Sequence, residues 1–121
     1  MFIDDDGILT SEFTLNEAHQ GPPGYSHGGA SAAILDEAMG LVVWAAGHKV
    51  VAVNLEINYR KPLPLMQPLI VETRITKIDG RKIFSTGEIK LADSTVAVSG
   101  SGIYVSAPHL FEQVRLKRET S

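Results

Sequence analysis

The spacing of hydrophobic and polar residues predicts a strand, a loop and then a helix in the first part of the chain. Residues 8–15 alternate in part and predict a short strand, and residues 19–26 predict a loop because they are rich in proline and glycine. Ala30 to Ala46 contains no proline, is rich in Ala, Leu and Met and predicts a helix. Its two charges are the adjacent Asp36 and Glu37. A helix this apolar on nearly every face is expected to be buried.

After the helix the pattern becomes one of alternation, as in antiparallel strands. In residues 50–60, apolar residues from Val51 to Tyr59 fall on one face, and Ala52 and Asn54 fall together on the other, which predicts a half-buried strand. Breaks at residues 62–68, at Asp79-Gly80 and at Asp93-Ser94 separate three further predicted strands, residues 69–78, 81–91 and 95–105. Residues 109–118 predict a short terminal helix.

One long apolar helix is hidden most simply by a sheet that curls around it. The predicted fold class is therefore α+β, with an antiparallel five-stranded sheet curled around one long buried helix. The chain has 121 residues and shows neither internal repeats nor a linker, so residues 1–121 are expected to form a single domain.

Composition narrows the function classes. The formal net charge is -3, which argues against a general nucleic-acid binder but leaves room for one local basic pocket. The absence of cysteine excludes disulfides and thiolate chemistry, and the four histidines show no metal-ligand spacing. An acidic N-terminus without an apolar run, and no window that would cross a bilayer, predict a soluble cytoplasmic protein.

Three motifs carry a family resemblance. Residues 21–29 read GPPGYSHGG, residues 36–40 read DEAMG, and residues 54–62 read NLEINYRKP. Over roughly residues 18–105, this combination resembles the PaaI-like and THEM4-like acyl-CoA thioesterases of the hotdog superfamily. The resemblance implies the hotdog fold, pairing of two subunits through their sheets, often with stacking into tetramers, and an acyl group on coenzyme A or a related pantetheine carrier as substrate. It implies no cofactor and no metal.

Thioester hydrolysis needs a donor for the developing oxyanion and a group that attacks or activates water. Gly28, with Gly29 beside it, comes where the loop enters the helix, and its N–H is the predicted oxyanion donor. The alternative is that the two glycines have no catalytic role and only allow the turn to fit under the sheet. Asp36, nine residues after His27, is the predicted base or nucleophile, and the two roles stay open. Glu37 is the fallback acid, since neighbouring helical residues point about 100° apart.

Helix geometry makes this assignment more specific. Eight residues separate Gly28 from Asp36, which is about 12 Å at 1.5 Å per residue. One carbonyl needs both groups close to it, so a single helix does not supply both. Two antiparallel helices related by a two-fold axis do, which predicts two composite sites per homodimer.

The remaining predicted site residues have supporting roles. His27 is predicted to be one of the catalytic residues, and a structural or orienting role is favoured for it over proton transfer. The predicted substrate-binding residues are Gly29, Asn54, Gln20, Glu37 and, for the phosphates of coenzyme A, the basic pairs Arg60, Lys61 and Arg81, Lys82. The basic pairs are equally compatible with ordinary solvated turns.

Ala52 departs from the pattern that the resemblance implies, in which a Ser or Thr stands two residues before the strand's asparagine. Asn54 is expected to share its face and to substitute for it. The departure keeps open a second hypothesis, a non-catalytic acyl-CoA-binding hotdog module. A hotdog dehydratase is disfavoured, because it uses a differently arranged histidine and acid.

Overall fold

The computed structural model describes residues 2–107, which form one helix packed against one six-stranded antiparallel sheet. The helix α1 spans Gly28–Ala45. The strands are β1 Phe2–Ile3, β2 Leu9–Phe13, β3 Val50–Tyr59, β4 Leu69–Asp79, β5 Lys82–Lys90 and β6 Val96–Ser106. The sheet order is β1-β2-β4-β5-β6-β3, so β3 ends the sheet on one side.

The predicted hotdog arrangement of one helix and a curled antiparallel sheet is confirmed. The five predicted strands are present, and β1, a two-residue strand paired with β2, is the sixth. The helix begins at Gly28, two residues before the predicted Ala30, so both glycines of the HGG motif belong to its first turn. The terminal helix predicted for residues 109–118 lies outside the described residues.

The helix packs on the inner face of the sheet through a row of fully buried apolar side chains, which includes Leu35, Met39 and Val43. Gly87 on β5 permits this close approach. A Cβ at that position would lie 2.8 Å from Thr73 Cγ2 and 3.0 Å from Leu35 Cδ2. The sheet therefore needs a residue without a side chain directly beneath the helix.

Three hydroxyl groups from neighbouring strands donate to main-chain carbonyls of α1. Thr73 Oγ1 on β4 donates to the carbonyl of Ala38 at 3.0 Å, and Ser85 Oγ on β5 donates to that of Met39 at 3.4 Å. Tyr104 on β6 donates to the carbonyl of Asp36 at 3.5 Å. These bonds satisfy polar groups that would otherwise be buried without a partner, and they hold the middle of the helix to the sheet.

The prediction that α1 is buried on nearly every face is wrong for the described chain. Leu41 and Trp44 are 38% and 42% exposed, and Asp36 and Glu37 are both exposed. The reason is that the sheet covers only one side of the helix, and within residues 2–107 no second layer covers the other side. The apolar composition of the helix thus exceeds what one sheet buries.

A β-bulge at Val53 overturns the predicted faces of β3. Ala52 pairs with Tyr104 and Asn54 pairs with the adjacent Ile103, so Val53 is an extra residue of β3 that has no partner on β6. Cross-strand partners share a face, and Tyr104 and Ile103 point to opposite faces. Ala52 therefore faces the helix, whereas Asn54 faces away from it. The prediction that these two side chains share a face is wrong.

The prediction that β3 is half-buried is also wrong for the described chain. Val53 is 58% exposed and Tyr59 is 56% exposed, and only Val50 in this strand is buried. Within residues 2–107, β6 is the single neighbour of β3, which leaves the other edge of β3 open. An open edge with apolar side chains is a surface on which another strand pairs.

Candidate active site

The first turn of α1 presents free backbone donors. His27 is the N-cap residue, and its Nδ1 accepts a hydrogen bond from the N–H of Ala30 at 3.0 Å. Within residues 2–107, the main-chain N–H groups of Gly28 and Gly29 donate no hydrogen bond. Both glycines are exposed, and the positive end of the helix dipole lies at this turn. This turn is therefore suited to bind an anionic oxygen.

The role of His27 follows from its cap. As long as Nδ1 accepts the Ala30 bond, only Nε2 of the imidazole is left to face a ligand. The main-chain N–H of His27 donates to the carbonyl of His19 at 2.8 Å, which ties the loop to the helix start. This geometry supports the orienting role that the sequence favours.

A groove of about 310 Å³ adjoins the helix start. Tyr59, at the end of β3, donates from its hydroxyl to the carbonyl of Gly28 at 3.0 Å and so holds the first turn in place. Arg60 and Lys61 follow Tyr59 and line the same groove. The structure therefore brings together Gly28 at the helix start and one of the two predicted basic pairs.

The second basic pair lies elsewhere. Arg81 donates from Nε and Nη2 to the carbonyl of Ser106 at 3.3 and 2.8 Å, so its guanidinium is already used to hold the end of β6. Lys82 pairs in register with Val105, at the end of the sheet opposite Arg60. The length of β3 separates the two ends by about 30 Å at 3.3 Å per residue. Within one chain, Arg81 and Lys82 do not reach the groove of Gly28.

Asp36 and Glu37 lie on different flanks of α1. Glu37 lines an apolar pocket of about 210 Å³ together with Phe13 of β2, Ile34 and Leu41. At 100° per residue, Asp36 lies only about 20° around the helix from Gly29 and about 40° from Gly40. Gly40 faces Tyr104 of β6, the strand next to β3. Asp36 is therefore on the flank nearer the open sheet edge, and Glu37 is on the flank of β2.

Gly28 and Asp36 belong to the same continuous helix, so the predicted axial separation of about 12 Å stands. Asp36 is exposed, and within residues 2–107 no ion pair forms on its carboxylate. Among the described residues, therefore, no cation is paired with this carboxylate.

Two predicted substrate-binding residues do not face the helix start. Asn54 lines a small outer-face groove with Phe84 and Ser101 instead of facing the helix. Gln20 accepts a hydrogen bond at Oε1 from the N–H of Gly24 at 3.1 Å, so its amide stabilises the loop. No group of three or more His, Cys, Asp or Glu side chains among the described residues is arranged to hold a metal.

Tyr104 is a residue that sequence reasoning missed. It is buried, and its hydroxyl reaches the carbonyl of Asp36. Burial, and after it the negative charge of Asp36, raise the pKa of Tyr104 to about 12. Nothing in the local pattern of β6 marks this tyrosine, because its contact with Asp36 spans 68 positions of sequence.

Comparison with known proteins decides the family. A family model described as the thioesterase superfamily matches residues 23–98, which include the HGG loop, α1 and all of β3, β4 and β5. The chain belongs to the thioesterase superfamily. No helix within residues 2–107 of this thioesterase-superfamily chain is long and apolar enough to cross a membrane.

Individual relatives agree with this assignment. The chain is 37% identical over 87 residues to the acyl-coenzyme A thioesterase THEM4 of Rattus norvegicus, a match that covers 71% of this chain and 37% of that protein. A crystal structure of a thioesterase superfamily protein superposes with a TM-score of 0.83 at 38% identity, covering 86% of this chain and 54% of the other.

A more distant structure supports the fold alone. The structure of smu.793 from Streptococcus mutans, bound to acetyl CoA, superposes with a TM-score of 0.79 at 18% identity and covers 84% of this chain and 82% of the other. The thioesterase-superfamily chain thus spans little more than a third of the curated relative above, and most of the length of this structural neighbour.

Proposed function

We propose that this chain hydrolyses the thioester bond of acyl-CoA substrates, in composite active sites formed by two copies of itself. The observation that carries the proposal is the arrangement of α1. Its first turn offers two free amides, and its single acid on the flank of the open β3 edge is Asp36. The THEM4 relatives are named as acyl-coenzyme A thioesterases, which supports the same substrate class.

The proposed chemistry uses these groups in separate roles. The N–H of Gly28 donates to the carbonyl oxygen of the thioester and stabilises its negative charge as the tetrahedral intermediate forms. The carboxylate of Asp36 either removes a proton from an attacking water or attacks the carbonyl carbon itself. The intermediate then collapses with cleavage of the C–S bond, and the coenzyme leaves as a thiolate that takes up a proton. When water attacks, this step releases the free acid. When Asp36 attacks, the acyl group is left on Asp36 as a mixed anhydride, which a water molecule then hydrolyses to the free acid and the regenerated carboxylate.

Coenzyme A also carries phosphates, and the groove beside Gly28 suits them. Arg60 and Lys61 line this groove, and charge-assisted bonds from such side chains to phosphate are strong. They are the preferred phosphate ligands within the chain. Arg81 and Lys82 would take part only from another copy, because their end of the sheet lies far from Gly28.

The second copy is required by distance. Asp36 lies about 12 Å along the helix from Gly28, too far to serve the same carbonyl. The open edge of β3 and the exposed flank of α1 are the surfaces on which a symmetric partner would place its own acid near this helix start. The dimeric or tetrameric state, the single domain over residues 1–121 and the cytoplasmic location stay predictions from the sequence.

The test is turnover of a panel of acyl-CoA thioesters by three proteins: wild type, Asp36→Ala and Glu37→Ala. Loss of a catalytic acid or base is worth about 10²–10⁴-fold in rate, so Asp36→Ala should lower kcat by that order. Glu37→Ala is the matched control, because it removes the neighbouring carboxylate, which is also exposed, from the other flank. It should leave kcat close to the wild-type value.

Each result has a distinct meaning. The wild-type protein could bind acyl-CoA tightly, as measured by calorimetry, and yet release no free coenzyme. This result would support the second hypothesis, a non-catalytic acyl-CoA-binding module, which remains open because residue 52 is Ala and has no hydroxyl group. If Glu37→Ala lost activity and Asp36→Ala kept it, the acid would be misassigned and the thioesterase reading would stand.

A further inference from the structure

Tyr104 lies with its ring in a slot between β6 and the helix. A Cβ at residue 102 would come within 2.8 Å of Tyr104 Cε2, so the ring lies directly over Gly102. On the helix side, a Cβ on Gly40 would lie 3.7 Å from Tyr104 Cε1. Two glycines therefore make room for the ring, and they direct its hydroxyl to the turn of α1 that carries Asp36.

The hydroxyl is a permanent hydrogen-bond donor. Tyr104 is 3% exposed, and burial, the main cause of its pKa of about 12, keeps the proton on the oxygen even at alkaline pH. Its acceptor in this structure is the carbonyl of Asp36 at 3.5 Å, and the influence of the Asp36 charge on Tyr104 shows that the carboxylate lies within electrostatic range.

Few other polar groups reach this part of the inner face. Ala52 is the cross-strand partner of Tyr104 and offers only a methyl group. The bulge turns Asn54 to the outer face, Leu55 and Ile57 are apolar, and Tyr59 at the end of the strand donates to Gly28 instead.

We propose that Tyr104 is a positioning residue for Asp36, which holds the acid-bearing turn of the helix in its working orientation from beneath. This inference rests on the proposed thioesterase function. Thr73 and Ser85 also donate to helix carbonyls, but their acceptors are Ala38 and Met39, two and three residues after Asp36. Of these three bonds, the one from Tyr104 is made to Asp36 itself.

The experiment measures steady-state hydrolysis of an acyl-CoA that wild type turns over, with the variants Tyr104→Phe and Ser85→Ala. Tyr104→Phe keeps the ring in its slot and removes only the hydroxyl. Loss of one such bond should lower kcat roughly five- to tenfold and leave KM within about twofold. Ser85→Ala removes a hydroxyl with a similar bond to the same helix and should leave kcat close to wild type.

Two results would overturn the inference. Unchanged kcat in Tyr104→Phe would mean that the hydroxyl does not position the acid. An equal loss in Ser85→Ala would mean that any bond between the sheet and the helix has the same effect on turnover.

Thermal unfolding followed by circular dichroism shows whether each variant is folded, and Tyr104→Phe is expected to unfold within a few degrees of the wild-type temperature.

The two proposals fail in different ways. If wild type shows no turnover of any acyl-CoA, the thioesterase proposal is wrong and this one falls with it. If wild type turns over and Tyr104→Phe matches it, only the role of Tyr104 is wrong.

Discussion

Gly28 contributes to the proposed site through its main-chain N–H alone, so its role is separable from its size. Proline is tolerated at the first position of a helix, where its missing N–H has no intrahelical partner. His27, the residue before it, has an extended backbone with φ -77 and ψ 155, which is the conformation that a following proline favours. Position 28 is therefore a place where a single donor is removable without breaking the helix.

We expect Gly28→Pro to lower kcat by about 10²–10³-fold, the usual loss for one oxyanion donor. Gly28→Ala keeps the N–H and adds a Cβ only 3.6 Å from the Tyr59 ring, an ordinary contact, so it should stay close to wild type. Both rates are measured by release of free thiol from acyl-CoA. Equal losses in the two variants would show that space at Gly28, and not its N–H, matters.

Single residues differed in how far the sequence could reveal them. Gly28 and Asp36 could be proposed from the sequence because their signals are local: a glycine pair before a helix and an acid within it. Tyr104 and the outward orientation of Asn54 could not be found this way. Tyr104 reaches Asp36 only after the sheet folds beneath the helix, and Asn54 changes face because of a bulge that no residue type announces.

Among the elements, the helix depends on close contact with β5. Because Gly87 lies directly beneath Leu35 and Met39, we expect Gly87→Ala to push the helix from the sheet and lower the free energy of unfolding by about 1–3 kcal/mol. Urea denaturation measures this change, and Gly28→Ala serves as the matched glycine-to-alanine control at an exposed position. A variant as stable as wild type would mean that the core repacks around the added methyl group.

Element order and type were predictable, because the change from helical spacing to alternation is strong and the Asp79-Gly80 turn is a specific hairpin signal. Gly80 adopts a positive φ of 59° between β4 and β5, as that turn requires. The faces of β3 were not fully predictable. Val53 is apolar like its alternate neighbours, so the sequence pattern continues across the bulge while the backbone changes phase.

For the whole molecule, the proposed two-copy site makes a prediction about mixtures. In a dimer of one Gly28→Pro chain and one Asp36→Ala chain, one centre carries both defects and the other carries neither. If the two variants are unfolded, mixed equally and refolded together, random pairing should restore about a quarter of the wild-type rate. Either variant alone stays at its own low rate. A mixture no faster than its components would place the complete site within one chain.

The proposed two-copy assembly would also explain why burial was predicted less well than topology. The apolar residues of β3 and the exposed flank of α1 suggest burial when their composition alone is considered, yet the single chain leaves Val53, Leu41 and Trp44 largely accessible. If two copies pair as proposed, each would cover apolar surface of the other, and the sequence pattern alone does not say which chain covers a given residue.

The distance of eight residues from Gly28 to Asp36 would also govern how defective chains behave beside normal ones. A chain that lacks only one of the two groups still lends the other to its partner, so the rate would decline in proportion to the share of normal chains. A chain that lacks both leaves a normal partner without any complete centre, and the rate would then decline with the square of that share. Such a doubly altered chain would act as a dominant inhibitor of its own kind.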